Sequence, residues 1–382
     1  TLFRFQEVTG KYMGTNNTHP WVQGCPLTIQ LPNGPEVPTN INFTYNDLKY
    51  PSATGQIELQ NAICNYYNYF YNSNITNDNI CIFAGGRVGI FITMSFLKQE
   101  YRVFVEEAEY TPYYDTMINL NKNYQIIPSN PDNNFKPSIE TYASFVESDN
   151  EKVFLLKSNP CNPTGVTRTG EELKQLVDFF SHSSRGALFD EAYEFFHETP
   201  DSALHYIKDI NSTNIFISSA ATKGLQAPGL RIGWIIASKK NIELFRNYSG
   251  IGMGGVSRPA QILVTKMLDI ERVTLARQAV NSYYKEQRIK YGEALKSIGL
   301  ELFTGDGGFY HWCRLPSHLN CNEFNERLYL HDAAILPGSL CDMFRRGETG
   351  LFGQFIRFSF GPLTPDSFDE DIRILRTCLH DN

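Results

Sequence analysis

The chain has 382 residues, enough at about 150 per domain for one large or two moderate domains with a substantial core. Its 34 Lys and Arg against 41 Asp and Glu leave a formal charge of −7 with no long run of either sign, which excludes the basic face of a nucleic-acid binder and points to small molecules or protein as partners. With 42% hydrophobic and 20% charged residues the composition is globular, and apolar runs such as 234–237 are far too short to cross a bilayer. The eight cysteines are scattered, without a C-x-x-C pair or a disulfide framework, and read as reduced thiols; a cytoplasmic location is therefore expected. The opening residues carry neither a basic-then-apolar signal nor an Arg/Ser-rich transit pattern, so no leader is expected in the segment read. The eight histidines show no metal-type spacing, and no metal is expected.

In chain order, the turn Gly85-Gly86 opens a helix over 87–97, and 103–105 reads as a strand. Residues 153–157 form a buried strand followed by an Asn- and Pro-dense loop over 158–165. Thr169, with Glu172 three residues later, predicts a capping box for a helix whose buried face is Leu173, Leu176, Val177 and Phe180. Strands are expected at 187–190, 215–217 and 232–237, so the stretch from 46 to about 285 alternates strand and helix, the pattern of a mostly parallel sheet. The segment Gly252-Met253-Gly254-Gly255 lacks the context of a nucleotide-binding turn and reads as a loop lining the site. A long helical stretch over 273–298, a hairpin-like Gly307-Gly308-Phe309-Tyr310 and a helix after Asp366 mark a part of different character. The expected division is a large domain over 46–284 and a small one made of 1–45 and 285–382.

In an open parallel sheet, ligands bind outside the carboxyl ends of the strands. Asn162, Asp190 and Lys223 all fall there: a carboxamide, a carboxylate and an amine. That trio suits a cofactor with a phenolic oxygen, a ring nitrogen and an aldehyde, and pyridoxal 5'-phosphate has all three.

The residues around the trio carry a resemblance. Asn159-Pro160-Cys161-Asn162-Pro163-Thr164-Gly165, Asp190-Glu191-Ala192-Tyr193, and Lys223 followed by Gly229-Leu230-Arg231-Ile232-Gly233 are similar, in order, to the N-P-x-N-P-T-G, D-x-x-Y and K-x5-G-x-R-x-G segments of the class I/II aminotransferases, fold-type I pyridoxal-phosphate enzymes. The resemblance implies an α/β fold like that of aspartate aminotransferase, with a mostly parallel sheet of seven-stranded type flanked by helices, and a smaller α+β domain. It implies Lys223 as the Schiff-base lysine, Asp190 as partner of the ring nitrogen, Asn162 and Tyr193 as donors to the phenolic oxygen, and Arg231 as a phosphate ligand.

Further segments agree. Tyr50-Pro51 through Leu59 resembles the segment whose tyrosine reaches the neighbouring subunit's phosphate, which implies a homodimer with shared active sites. Glu107 to Tyr113 resembles the turn that lays an aromatic ring, here Tyr110, on the cofactor, although Ala108 stands where proline is usual. Arg357, in Ile356-Arg357-Phe358-Ser359, falls on the arginine that grips the substrate carboxylate, with Asn162 beside it. The phosphate loop appears as Gly85-Gly86-Arg87; because Ala220 occupies the usual hydroxyl position three before the lysine, Arg87 is expected to replace that donor.

Each residue also has a plainer reading: Asp190 as a helix cap, Asn162 as turn chemistry, the three tyrosines as packing, Arg357 as an edge-strand charge. His19 and Trp21 are candidates for substrate contact or simple loop residues. The implied activity is transfer of an amino group between an L-amino acid and a 2-oxo acid through a Lys223 Schiff base. The alternatives on the same residues are a lyase, or a cyclase, dehydratase or oxidase resembling capreomycidine synthase with an arginine-derived substrate. A non-catalytic sensor behind a DNA-binding module fits poorly, since no such module stands in the chain.

Overall fold

The computed structural model describes residues 1–15, 17–42 and 44–380. Eleven strands run in chain order: β1 Ile80–Phe83, β2 Arg102–Glu106, β3 Tyr124–Ile127, β4 Val153–Ser158, β5 Arg185–Asp190, β6 Ile215–Ala220, β7 Gly233–Ile236, β8 Glu301–Leu302, β9 Tyr310–Arg314, β10 Leu336–Pro337 and β11 Phe355–Ser359. The eleven α-helices are α1 Leu2–Thr9, α2 Ile57–Tyr71, α3 Gly86–Phe96, α4 Pro112–Asn119, α5 Ile139–Ser144, α6 Gly170–Phe180, α7 Lys239–Tyr248, α8 Arg258–Met267, α9 Ile270–Ser297, α10 Cys321–Tyr329 and α11 Phe368–His380.

The large sheet has the order β1-β7-β6-β5-β4-β2-β3. Its members pair in parallel except β7, which is antiparallel to both β1 and β6. Every residue of β4 and β6 is buried, as expected for strands covered by helices on both faces. The register sets Ser158, Asp190 and Ser218 side by side, so β4, β5 and β6 deliver their carboxyl ends at one level. β6 runs three residues beyond the expected strand. Its β-branched character ends at Ile217, but pairing continues through Ser218↔Ile235, Ser219↔Trp234 and Ala220↔Gly233, so partners extend a strand that propensity alone would stop.

Helix α6 buries the expected face of Leu173, Leu176, Val177 and Phe180. Its capping box does not form: the Thr169 side chain makes no cap hydrogen bond, the Gly170 amide donates instead to Asp201 Oδ2 at 3.0 Å, and Glu172 pairs with Lys136. Tertiary partners have replaced the local cap. The Gly252–Gly255 segment also departs from expectation. Residues Ser249–Met253 widen into a π-turn that continues α7, Gly254 closes it by donating to the Ser249 carbonyl at 2.7 Å, and Gly255 packs on Pro51. None of these residues lines the cleft described below.

The second sheet, β10-β11-β9-β8, is antiparallel throughout, and β8 and β9 form the hairpin that the Gly307-Gly308 turn leads into. The N-terminal segment belongs to this layer: His19 bridges to Ala333, and the Ser359 amide donates to the Trp21 carbonyl at 2.9 Å. The two sheets meet at the Asn162 turn, where the Gly305 amide donates to the Thr164 carbonyl and the Gly307 amide to the Gly165 carbonyl, both at 2.8 Å. Gly165 has φ of 72°, and a Cβ there would strike the Gly307 carbonyl, so the close approach requires glycine. No described helix is long and apolar enough to cross a membrane.

Candidate active site

A cleft with about 610 Å³ of empty space, counting its open mouth, lies at the carboxyl ends of β4, β5 and β6. Asn162 follows β4 by four residues, Asp190 ends β5, and Lys223 follows β6 by three; all three line the cleft. Tyr110 and Tyr193 contribute aromatic walls, and Gly86, Arg87 and Arg231 close the end nearest α3.

That end is shaped by glycine. Gly85, at φ 100°, is the N-cap of α3 and turns the backbone so that Gly86 and Arg87 begin the helix facing the cleft. A Cβ at Gly85 would run into the Arg231 guanidinium, so backbone and guanidinium can converge only without a side chain there. The first-turn amide groups of α3 and two guanidinium groups form a seat for an anion. Ser219 and Thr222 also line the cleft, although Ala220 occupies the expected donor position.

Asp190 is buried and accepts hydrogen bonds from Tyr113 Oη at 2.9 Å and from the Ala192 amide at 3.3 Å. Burial pushes its carboxyl up to about 6, against the pull of those two donors and the nearby Lys223. Asp190 does not cap a helix through its side chain; its remaining capacity is directed at the cleft. Tyr113 is the partner that sequence reasoning missed, although it closes the segment quoted for Tyr110.

Lys223 Nζ donates to the Gly24 carbonyl and lies 5.5 Å from the Tyr193 ring centre and 5.7 Å from that of Phe309. Burial pushes the ammonium down to about 8, and the Arg357 and Arg87 charges push the same way, while Cys25 and Asp190 oppose. In cofactor-free protein, acylation of Lys223 by an amine reagent is accordingly expected to reach half its maximum near pH 8, below the ordinary 10.5; peptide mapping across a pH series checks this. The unfolded chain holds that proton until higher pH, so this residue makes the native state gain stability as pH rises from about 8 toward 10.5.

Arg357 stands on β11, a central strand between β10 and β9, so it is not an edge charge. Alternation along the strand sends Ile356 and Phe358 into the core and Arg357 to the opposite face, where it is buried at 4% exposure. Its Nη1 donates to Asn162 Oδ1 and its Nη2 to the Val22 carbonyl, both at 2.8 Å, and its guanidinium carbon lies 4.1 Å from the Tyr310 ring centre. Nε is buried without a partner. Tyr310 in turn hydrogen-bonds Tyr193 through the two hydroxyl groups. The signal for Tyr310 was the Gly-Gly-Phe-Tyr turn, which leads straight into β9.

Tyr50, expected to reach a neighbouring subunit, is 92% exposed and outside this chain's own cleft. Two expected contacts fall elsewhere. His19 Nδ1 bonds Asp371 Oδ1 at 2.8 Å and Trp21 Nε1 donates to the same oxygen at 3.1 Å, so both are spent on α11 rather than on a substrate.

The cleft has an excess of cations. Arg87, Arg231 and Lys223, which line it, and Arg357, which reaches its border through Asn162, have no carboxylate partner within ion-pair distance among the described residues, and Asp190 is the one acid among the lining residues. This donor set calls for a ligand with more than one anionic group, and it fits pyridoxal 5'-phosphate together with an amino-acid carboxylate.

The chain is 25% identical over 296 residues to an aspartate aminotransferase of Pyrococcus horikoshii, covering 76% of this chain and 74% of that one. It is 23% identical over 299 residues to an LL-diaminopimelate aminotransferase of Aquifex aeolicus, covering 76% and 75%. Its fold matches the crystal structure of an aspartate aminotransferase from Thermotoga maritima with a TM-score of 0.80 at 20% identity, over 99% of this chain and 96% of the other. The family model described as aminotransferase class I and II matches residues 38–371, and since this span takes in every residue lining the cleft, the chain belongs to that family.

Proposed function

We propose that the cleft transfers an amino group between an L-amino acid and a 2-oxo acid, with Lys223 as its reactive amine. Enzymes of this family use pyridoxal 5'-phosphate, which when bound supplies an electron sink for the charge left as a proton leaves the substrate α-carbon. Arg87, Arg231 and the first-turn amides of α3 would hold the phosphate. Asp190, whose carboxyl Tyr113 and the Ala192 amide pull toward the ionised form, would partner the ring nitrogen. Asn162 and Tyr193 address the phenolic oxygen, and Tyr110 covers the ring. Arg357 orients the substrate through its carboxylate.

Lys223 would serve twice: its amine would anchor the cofactor, and when free it could accept and return the proton of the substrate α-carbon. An amine with its proton affinity lowered to about 8 suits both directions near neutral pH. The observation that carries the reading is the convergence of Lys223, Asp190 and Asn162 on three adjacent strand ends beside an otherwise uncompensated Arg357. Relatives named as aminotransferases support transfer over elimination, cyclisation or oxidation.

Three coarser features belong to the same reading. The exposed Tyr50, with exposed Tyr45 and Leu48 beside it, supports a homodimer in which Tyr50 reaches the partner's cleft. The contacts of the N-terminal segment with the second sheet support a small domain of 1–45 and 285–382 beside a large one of 46–284. Cys25, Cys64, Cys81, Cys161, Cys313, Cys321 and Cys341 are free thiols, which suits a reducing compartment such as the cytoplasm.

The test is a half-reaction titration. Protein loaded with pyridoxal 5'-phosphate is expected to develop a visible absorption band, lose it on addition of an amino-acid donor, and recover it on addition of a 2-oxo acid. A band that does not respond to the acceptor, with ammonia or peroxide released instead, would overturn transfer.

A further inference from the structure

Behind Tyr110 lies a carboxylate for which the reaction above has no use. Glu109 has no exposed surface. Its Oε2 accepts from Ser158 Oγ at 2.7 Å and from the Tyr110 amide at 2.9 Å, while Oε1 accepts from Lys157 Nζ and from the Ser158 amide, each at 3.1 Å. The Ser158 hydroxyl, its single proton given to Glu109, presents a lone pair to the Asn162 amide at 3.1 Å. The Asn162 carboxamide oxygen then receives Arg357 Nη1 at 2.8 Å. Three hydrogen bonds therefore connect Glu109 with the Arg357 guanidinium, the second ending on the Asn162 backbone amide and the third on that residue's side-chain oxygen, and a fourth runs from the same carboxylate to the backbone of Tyr110.

Charge around Glu109 is balanced away from the cleft. Lys157 Nζ also lies 3.0 Å from Glu106, which Arg168 meets at 3.5 Å, giving two buried acids and two buried cations. Burying such a quartet gains little stability over an apolar packing of equal volume, because the desolvation of each charge offsets the attraction. Its chemical content lies in orientation: an ionised Glu109 is acceptor-only, so the Ser158 hydroxyl and the Tyr110 amide must both point toward it.

We propose that Glu109 is a positioning residue that sets Asn162 and Arg357 through Ser158, and sets Tyr110 through the adjacent amide, so that substrate carboxylate binding depends on a side chain that touches neither substrate nor cofactor. The inference rests on the transfer reading above. Its test uses the loaded enzyme and the variants Glu109→Gln, Glu109→Asp and Ser158→Ala. The readouts are kcat, KM, melting temperature, and the dissociation constant of a 2-methyl amino acid, which lacks the α-proton and reports binding without turnover.

In Glu109→Gln, KM and the dissociation constant of the 2-methyl analogue are expected to rise about tenfold or more while kcat stays within about threefold, the pattern of lost binding rather than lost chemistry. Glu109→Asp should restore part of the loss. Ser158→Ala breaks the relay but leaves the Glu109–Lys157 pair, so it should reproduce the shift even if Glu109→Gln does not fold. Combining Ser158→Ala with Asn162→Ala should cost no more than Asn162→Ala alone, since both cut one path. Folded variants with a lowered melting temperature but with KM and the analogue constant within about twofold of wild type would overturn the proposal. If wild type itself shows no visible band with pyridoxal 5'-phosphate, it is the transfer reading that fails, and the relay with it.

Discussion

Lys223→Ala is expected to abolish the visible band of the pyridoxal 5'-phosphate-loaded protein and to lower turnover by about 10⁴-fold or more, because it removes the covalent anchor and the proton carrier in one substitution. The amine is held at the mouth of β6 by its bond to the Gly24 carbonyl and stands over Tyr193 and Phe309. Among the described residues no other lysine lines the cleft, so none of them can take its place. Lys223→Arg should fail nearly as completely: it keeps the charge but offers a guanidinium that stays protonated. Absorbance spectra and a single-turnover assay check both variants. A retained band in Lys223→Ala would show that the reactive amine lies elsewhere.

The second large effect is expected at Arg357. Arg357→Met should raise KM for the amino acid roughly 10²-fold or more, close to 3 kcal/mol, the scale for truncating one partner of a buried, hydrogen-bonded charge pair. Loss of the side chain also strips Asn162 Oδ1 and the Val22 carbonyl of their donors and empties the face of Tyr310. Arg357→Lys should recover little, since one ammonium cannot bond Asn162, Val22 and an incoming carboxylate in the geometry of a fork. Steady-state kinetics against a series of amino acids separates the two variants; equal KM values in wild type and Arg357→Met would show that the carboxylate is held by another group.

Much of this site was legible in the sequence because its chemistry sits at strand ends. Polar residues that terminate apolar runs, as Asp190 and Asn162 do, stand out without any coordinates. What could not be read were partners brought from distant parts of the chain. Thr169 and Glu172 had the spacing of a capping box, yet Asp201 and Lys136 took over their roles, because local spacing carries no record of tertiary competitors. His19 and Trp21 were drawn to Asp371, more than 340 positions away. Tyr113 as the donor to Asp190 and Tyr310 as the platform under Arg357 became evident only when β5, β9 and β11 were set in space. Glu109 did leave a trace: an acid in a segment otherwise buried, with a lysine in the neighbouring strand, is a pattern that asks for a pair.

The alignment of Ser158, Asp190 and Ser218 across three adjacent strands carries a consequence for how this protein tolerates insertions. Since β4 and β6 are buried on both faces, and β5 from Gly186 onward, shifting β5 by one position would exchange one apolar surface for another at modest cost in burial. The same shift would put Phe189 where Asp190 belongs. A single residue added within β5 should therefore leave a protein that still compacts and remains helical but is chemically silent, whereas the same addition in the exposed 147–150 connection should be absorbed without loss.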